Sequence, residues 1–197
     1  MSTTDRAPAV FTDTFLAEPV HEETPRHRAY RYMLGLSRLS LGFIFLWAFL
    51  DKTFALGFAT GKDPEGNLDR FGDAAWINGG SPTEGFLTFG TKGPLKDFYS
   101  SMAGSAWADW LFMAGLLGIG LALTLGIAMR IATATGSLLL IMMWSAALWP
   151  ENNPFVEADL VYAIVLVALA LAGANKTLGF GRAWERIPLV QRYGFLK

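Results

Sequence analysis

Cysteine is absent from this sequence, and histidine occurs only twice, at His21 and His27. Without cysteine the chain cannot carry a disulfide, a thiolate metal site, an iron–sulfur cluster or thiol redox chemistry. Both histidines precede every long apolar run, so those runs contain no histidine that could ligate a haem or a metal ion. No metal site is therefore predicted, and a redox role would need an organic cofactor or another subunit.

Charge is also scarce. Charged residues make up 17% of the 197 residues, hydrophobic residues make up 52%, and the formal net charge is -1. A chain without a basic excess shows no sign of nucleic-acid binding, and its length corresponds to one domain. Because the apolar residues fall in blocks, we predict an integral membrane protein in contact with the lipid bilayer.

Four apolar runs have the length that a helix needs to cross a bilayer. They predict an all-α bundle of four transmembrane helices within a membrane domain at 29–182, with spans at 33–58, 107–129, 131–149 and 160–180. The connection at about 57–106 is long enough to have structure of its own, and we predict a structured outer loop. Helical spacing of its apolar residues predicts an amphipathic helix at 94–103 on the membrane surface.

The two ends of the chain are polar. Residues 1–28 predict a disordered tail, and 183–197 form a second tail. Basic residues cluster on one side of the predicted topology, and the positive-inside rule places both termini in the cytoplasm. These basic residues are Arg26, Arg28, Arg31, Arg130, Lys176, Arg182, Arg186, Arg192 and Lys197.

The first span contains two basic residues, Arg38 and Lys52. Along a helix they stand about 21 Å apart, less than the hydrocarbon thickness of about 30 Å, and they share one face. A charge turned toward lipid is costly, so we expect this face to point at other helices. Two interpretations stay open: a functional site, or side chains that extend to the interfaces and have a structural role.

Acidic residues meet Lys52 at the outer end of the predicted bundle. Asp51, Asp109 and Asp159 all reach this end, and together with Lys52 they predict a buried ion-pair cluster. Asp159 has an alternative role at the start of the fourth helix, where the helix dipole stabilises an acidic residue.

Small residues recur at every fourth position of the second span, at Ala114, Gly118, Ala122 and Gly126. Such spacing allows the backbones of membrane helices to approach closely, and we interpret the repeat as a packing signal.

Three short motifs resemble the DoxX family of small bacterial four-helix membrane proteins. They are RLSLG at 38–42, followed by an aromatic-rich run into Asp51 and Lys52; NPF at 153–155; and GANKTLGFG at 173–181. The resemblance covers 32–192 and implies a protein of the bacterial cytoplasmic membrane. DoxD-like members are associated with thiosulfate:quinone oxidoreductases, and other members are accessory subunits of membrane oxidoreductase complexes.

Three functions follow as hypotheses. In the first, the chain is a subunit of a quinone-dependent oxidoreductase, and quinone is held by aromatic walls and hydrogen-bond donors; catalytic residues are not identified. The candidate quinone- or substrate-binding residues are Arg38, Trp47, Asp51, Lys52, Trp144 and Asp159. In the second, it is a non-catalytic scaffold or accessory subunit that recruits a redox partner. The third and least favoured is transport of a proton or small solute, for which four close-packed helices would need a homo-oligomer.

Overall fold

The chain is all-α in a computed structural model that describes residues 24–63 and 65–196. In chain order the helices are α1 (Pro25–Phe54), α2 (Lys96–Ser100), α3 (Ala106–Leu125), α4 (Met129–Ala146), α5 (Ala158–Leu171), α6 (Gly181–Trp184) and α7 (Pro188–Arg192). Helices α1, α3 and α4 are long and apolar enough to cross a membrane, and α5 is a shorter apolar helix. The chain is thus a candidate multi-pass membrane protein.

Helix α1 begins earlier in the chain than the hydropathy predicts. The Thr24 hydroxyl accepts a hydrogen bond from the His27 amide at 3.3 Å, and Pro25 occupies the first helical position, where its missing N–H has no consequence. Residues 25–28, expected in the disordered tail, therefore form the first turn of α1. Residues 1–23, the rest of that predicted tail, lie outside the described residues.

Helix α5 is shorter than the predicted span at 160–180. It ends at Leu171 after 14 residues, because Gly173 adopts a left-handed conformation with a φ of 66° and the chain turns back at Ala174–Lys176. At 1.5 Å per residue α5 is about 21 Å long, whereas the 30 residues of α1 extend about 45 Å. The predicted span therefore includes nine residues, 172–180, that lie beyond the end of the helix.

The four apolar helices form a ring in which α1 packs on α3, α3 on α4, α4 on α5, and α5 back on α1. Their shared core contains Phe45 of α1, Met113 and Leu123 of α3, Leu140 of α4 and Leu166 of α5. Each helix also turns large apolar side chains outward, among them Phe43, Leu111, Leu138 and Ile164. A helix that is apolar on its core face and on its outer face is suited to lipid contact.

Glycines bring α1 and α3 close together. A Cβ atom on Gly42 would lie 2.7 Å from Thr124 Oγ1 and 2.9 Å from the Thr124 backbone nitrogen, and one on Gly120 would lie 2.9 Å from the Leu46 nitrogen. The small-residue repeat that the sequence predicts as a packing surface lies on a different side of α3 from Gly120. Its members Ala114, Gly118 and Ala122 line a shallow apolar groove of about 310 Å³ between α3 and α4.

The loop between α1 and α3 is structured, and the amphipathic helix predicted at 94–103 is reduced to the five residues of α2. Leu87 and Tyr99 of this loop pack on Ala146 at the end of α4 and form a small second core. The Tyr99 hydroxyl and the Ser145 hydroxyl share a hydrogen bond of 2.7 Å. The loop is thus fixed to the end of the bundle.

Of the segment expected as a C-terminal tail at 183–197, the described residues 183–196 are also structured. Helices α6 and α7 and a 3-10 turn at Gly194–Leu196 cross the opposite end of the bundle, with Val190 fully buried.

We expect Gly42→Ala to destabilise the bundle, since the added methyl group meets the backbone of α3. Overpacking of this kind costs about 1–3 kcal/mol. The measurement is the midpoint of thermal unfolding in a mild detergent. Gly118→Ala is the matched control, because a Cβ atom there meets nothing within 4 Å. Equal midpoints for the two variants would contradict the close approach of α1 and α3.

Candidate functional site

Arg38 is completely buried at the end of the bundle where α3 ends. Its guanidinium donates to five backbone carbonyl oxygens, those of Leu123, Thr124, Ala174, Thr177 and Leu178. The contact with Leu178 measures 2.8 Å, and the one with Thr124 measures 3.1 Å. A guanidinium has five N–H donors, so each has an acceptor within the chain and none remains for a quinone carbonyl.

The carbonyls around Arg38 explain how a cation is tolerated there. Leu123 and Thr124 lie in the last turn of α3, where carbonyl groups have no partner within the helix and carry the negative end of the helix dipole. Ala174, Thr177 and Leu178 belong to the segment that follows α5. One side chain of α1 therefore binds two other parts of the chain.

Glycines make room for this contact. A Cβ atom on Gly179 would lie 2.9 Å from Arg38 Nη2 and 2.8 Å from the Leu125 carbonyl oxygen. Gly126 ends α3 in the left-handed conformation, with a φ of 74°, and lies against Arg38 Nη1. The GANKTLGFG motif thus wraps around the arginine of the RLSLG motif, and the structure brings two of the three quoted motifs together.

Asp51 holds the chain that leaves the other end of α1. Its carboxylate is 1% exposed and accepts hydrogen bonds from the backbone N–H groups of Phe58, Ala59 and Thr60, at 3.2, 2.8 and 3.0 Å. Hydrogen bonds to an ionised carboxylate are among the stronger ones in proteins. The interaction folds the first residues of the outer loop back onto the helix end.

Asp109, in the first turn of α3, holds a second part of the same loop. Its Oδ1 atom accepts from the Ser81 hydroxyl at 2.9 Å, the Thr83 amide at 3.1 Å and the Thr83 hydroxyl at 2.6 Å. Between these two residues, the Pro82 carbonyl accepts from Lys52 Nζ at 3.0 Å. Residues 81–83 are therefore fixed over the ends of α1 and α3.

Lys52 lies between two carboxylates and an aromatic ring. Its charged neighbours are Asp51 and Asp109, and its ammonium lies 5.8 Å from the centre of the Phe112 ring. Phe112 belongs to α3, as do two of the carbonyls that bind Arg38. Arg38 and Lys52 thus both face α3, on the shared face that the spacing predicts.

Asp159 is not part of this cluster. It lies in the first turn of α5, where its charged neighbour is Glu157. Glu157, and not Asp159, occupies the N-cap position of α5. The structure therefore brings Asp51, Lys52 and Asp109 together and leaves Asp159 near the helix dipole of α5.

The two candidate tryptophans belong to separate surroundings. In the described part of the chain, the ring contacts of Trp47 are with Phe43, at 5.8 Å between centroids, and Phe58, at 5.0 Å. Trp144 is on α4, and its Nε1 donates to the Phe155 carbonyl at 2.8 Å. Trp47 and Trp144, both named as candidate quinone-binding residues, thus have different partners.

A polar cleft opens at the outer end, between residues 90–92 and 147–157, with a volume of about 360 Å³. Lys92 Nζ and Glu151 Oε1 are 2.5 Å apart across it, and the hydrogen bond from Lys92 lowers the pKa of the Glu151 carboxyl. The NPF motif borders this cleft: Asn153 Oδ1 accepts the Phe155 amide at 3.0 Å and sets the turn before α5. The third motif is thus far from Arg38.

Sequence reasoning missed Ser81 and Thr83, the partners of Asp109. It also missed the edge-to-face pair of Trp76 and Trp110, whose ring centroids are 4.7 Å apart. A Ser-Pro-Thr run in a long loop is a weak signal, because nothing local indicates which acidic residue it will meet.

Replacing Arg38 with methionine is expected to unfold this end of the bundle, since five carbonyl groups lose their donor. A buried carbonyl left without a donor costs about 1–3 kcal/mol, and several are affected here. Thermal unfolding in detergent measures the effect. The exposed Arg28, replaced in the same way, is the control and should leave stability unchanged. An Arg38→Met protein as stable as the control would show that the contacts do not hold the fold.

Asp51→Asn is expected to release the loop start at residues 58–60. The neutral amide keeps one acceptor oxygen and points N–H donors at backbone N–H groups, a loss of about 1–3 kcal/mol that makes local opening roughly tenfold more frequent. Trypsin cleavage after the exposed Lys62 measures this opening. Asp73→Asn, in an exposed part of the same loop, is the control. Equal cleavage rates would mean that Asp51 does not anchor the loop.

In comparisons with known proteins, no family model, curated protein or solved structure matches the chain. The resemblance to the DoxX family therefore stays a prediction that rests on the quoted residues.

Proposed function

We propose that this protein is a non-catalytic membrane scaffold, an accessory subunit that holds a redox partner of a quinone-linked oxidoreductase system. The observation that carries the proposal is the use of the buried charges. Arg38, Asp51 and Asp109 each make hydrogen bonds with main-chain or loop groups of the same chain. Charged side chains that stabilise the fold in this way are not available to bind a substrate.

The proposed topology has four crossings, with both termini in the cytoplasm of a bacterial cell. The end of the bundle near Arg38 carries most of the basic residues of the described chain, including Arg26, Arg28, Arg31, Arg130, Lys176, Arg182, Arg186 and Arg192. The other end carries most of the acidic ones, including Asp63, Asp69, Asp73, Asp97, Glu151 and Glu157. This asymmetry supports a cytoplasmic location for the basic end. Helix α5 would make the fourth crossing together with the turns that flank it.

The link to quinone chemistry is supported by the resemblance to the DoxX family. The structured outer loop supports the role of a scaffold. Asp51, Lys52 and Asp109 hold this loop in one conformation on which a partner can dock. Transport receives no support from the packing. Between Arg38 and Lys52 the bundle is filled by the buried side chains of Leu41, Phe45 and Leu116.

One observation favours the quinone-binding alternative. Lys52 Nζ is recorded with one hydrogen bond, to Pro82, although an ammonium group has three donors, and it faces the Phe112 ring. A donor beside an aromatic wall is the pair of features that a quinone headgroup needs. In this alternative, Lys52 would bind a quinone carbonyl at the outer end of the bundle.

The experiment that separates the two functions uses the full chain, purified alone in nanodiscs. We expect no thiosulfate-dependent reduction of a quinone analogue and no quinone extracted with the protein, whereas a complex isolated from the native membrane should show turnover. Lys52→Met is compared with Lys62→Met, which changes an exposed lysine of the loop that follows α1. Turnover by the chain alone that is lost in Lys52→Met and kept in Lys62→Met would overturn the scaffold proposal.

A further inference from the structure

The C-terminal segment at 180–196, which we name the C-terminal platform, lies across the basic end of the bundle. It begins where the Phe180 amide donates to the Leu125 carbonyl at the end of α3, at 2.7 Å. It ends where Arg130 Nη1, in the first turn of α4, donates to the Gly194 carbonyl at 2.8 Å. Since α3 ends and α4 begins at the same level, the platform lies at the depth of the helix ends.

Its own contacts hold the platform in one shape. Val190 is 1% exposed, Trp184 Nε1 donates to the Leu196 carbonyl at 2.6 Å, and Asn175 Nδ2 donates to Glu185 Oε1 at 2.9 Å. The last contact also uses the carboxylate of the one acidic residue in the platform. These contacts therefore determine which side chains of the platform are exposed.

Both apolar and basic side chains of the platform are exposed. The exposed apolar ones are Phe180, Ile187, Leu189, Tyr193 and Phe195, and the exposed basic ones are Arg182, Arg186 and Arg192. Arg192 lies 5.6 Å from the centre of the Tyr193 ring, so cation and aromatic group are adjacent. Apolar side chains mixed with arginines at the ends of membrane helices are typical of surfaces that lie among lipid headgroups.

Neighbouring charges have the same sign. Arg26, Arg28, Arg130 and Lys176 lie at this end of the bundle, and Glu185 is the acidic residue that the described chain places there. Basic clusters at the membrane surface attract anionic lipids, by about 1 kcal/mol for each lysine or arginine near the surface. The positive charge of this surface therefore favours anionic lipids.

We propose that the C-terminal platform is a binding surface for anionic phospholipids, with the phosphate groups held by Arg182, Arg186 and Arg192 and the acyl chains met by the exposed apolar residues. Arginine suits this role because its planar donors bind phosphate oxygens in pairs. The inference depends on insertion of the bundle in a membrane and is independent of the scaffold role. Its failure would leave the proposed function untouched.

Another occupant within the chain is segment 1–23. It lies outside the described residues, and its sequence carries Asp5, Asp13, Glu18, Glu22 and Glu23 against Arg6. An acidic segment of this kind would compete with lipid for the same arginines. The full chain must therefore be used in the test.

The test places the full-length protein in nanodiscs of phosphatidylcholine, with and without phosphatidylglycerol, and counts the lipids that native mass spectrometry finds bound. We expect phosphatidylglycerol to be retained in preference. Arg182→Gln with Arg186→Gln should weaken its apparent affinity about thirtyfold. Lys62→Gln with Lys96→Gln, two exposed basic residues of the outer loop, removes the same charge and should change nothing.

A second measurement separates lipid binding from misfolding. All four substituted side chains are exposed, so both variants should unfold in neutral detergent at the temperature of the unmodified protein. Equal retention of phosphatidylglycerol by the two variants would overturn the proposal. A lipid preference that emerges only after removal of residues 1–23 would also overturn it, since the acidic segment would then be the occupant.

Discussion

The fold depends on one interaction, the contact of the Arg38 guanidinium with five main-chain carbonyls. In water these carbonyls would be solvated, but at a buried helix end each needs a donor from the protein. Arg38 supplies all of them at once and so joins α1 to the end of α3 and to the chain beyond α5. The positions of Gly126, Gly179 and the C-terminal platform follow from this contact, since each lies against Arg38 or against the segment that it binds.

The opposite end of the bundle uses the same principle with the sign reversed. There the carboxylates of Asp51 and Asp109 collect backbone N–H and hydroxyl groups of the outer loop. At both ends a buried charge is balanced mainly by main-chain dipoles. This arrangement accommodates the buried charges of the first span inside the bundle. It also means that residues that resemble a binding site in the sequence stabilise the two ends of the bundle.

The features that the sequence predicts well are those that depend on local composition. The apolar runs located α1, α3 and α4, and the spacing of Arg38 and Lys52 placed both on the face that meets α3. The predicted end of the fourth span at residue 180 was wrong, since Asn175 and Lys176 interrupt the apolar run and the turn at Gly173 brings distant carbonyls to Arg38. Asp159 and Trp144 have neighbours other than the cluster of Asp51, Lys52 and Asp109, and the sequence gives no indication of this separation. The contact of Ser81 and Thr83 with Asp109 could not be predicted from the sequence, because Asp109 is distant along the chain.

Unequal helix lengths give the bundle two sides of different height. Helix α1 extends about 45 Å and α5 about 21 Å, while a hydrocarbon layer is about 30 Å thick. Lipid beside α5 therefore contacts an apolar surface that is shorter than the hydrocarbon layer is thick. Such hydrophobic mismatch costs fractions of a kcal/mol for each ångström of difference. The protein is expected to surround itself with a bilayer that is thinner on one side.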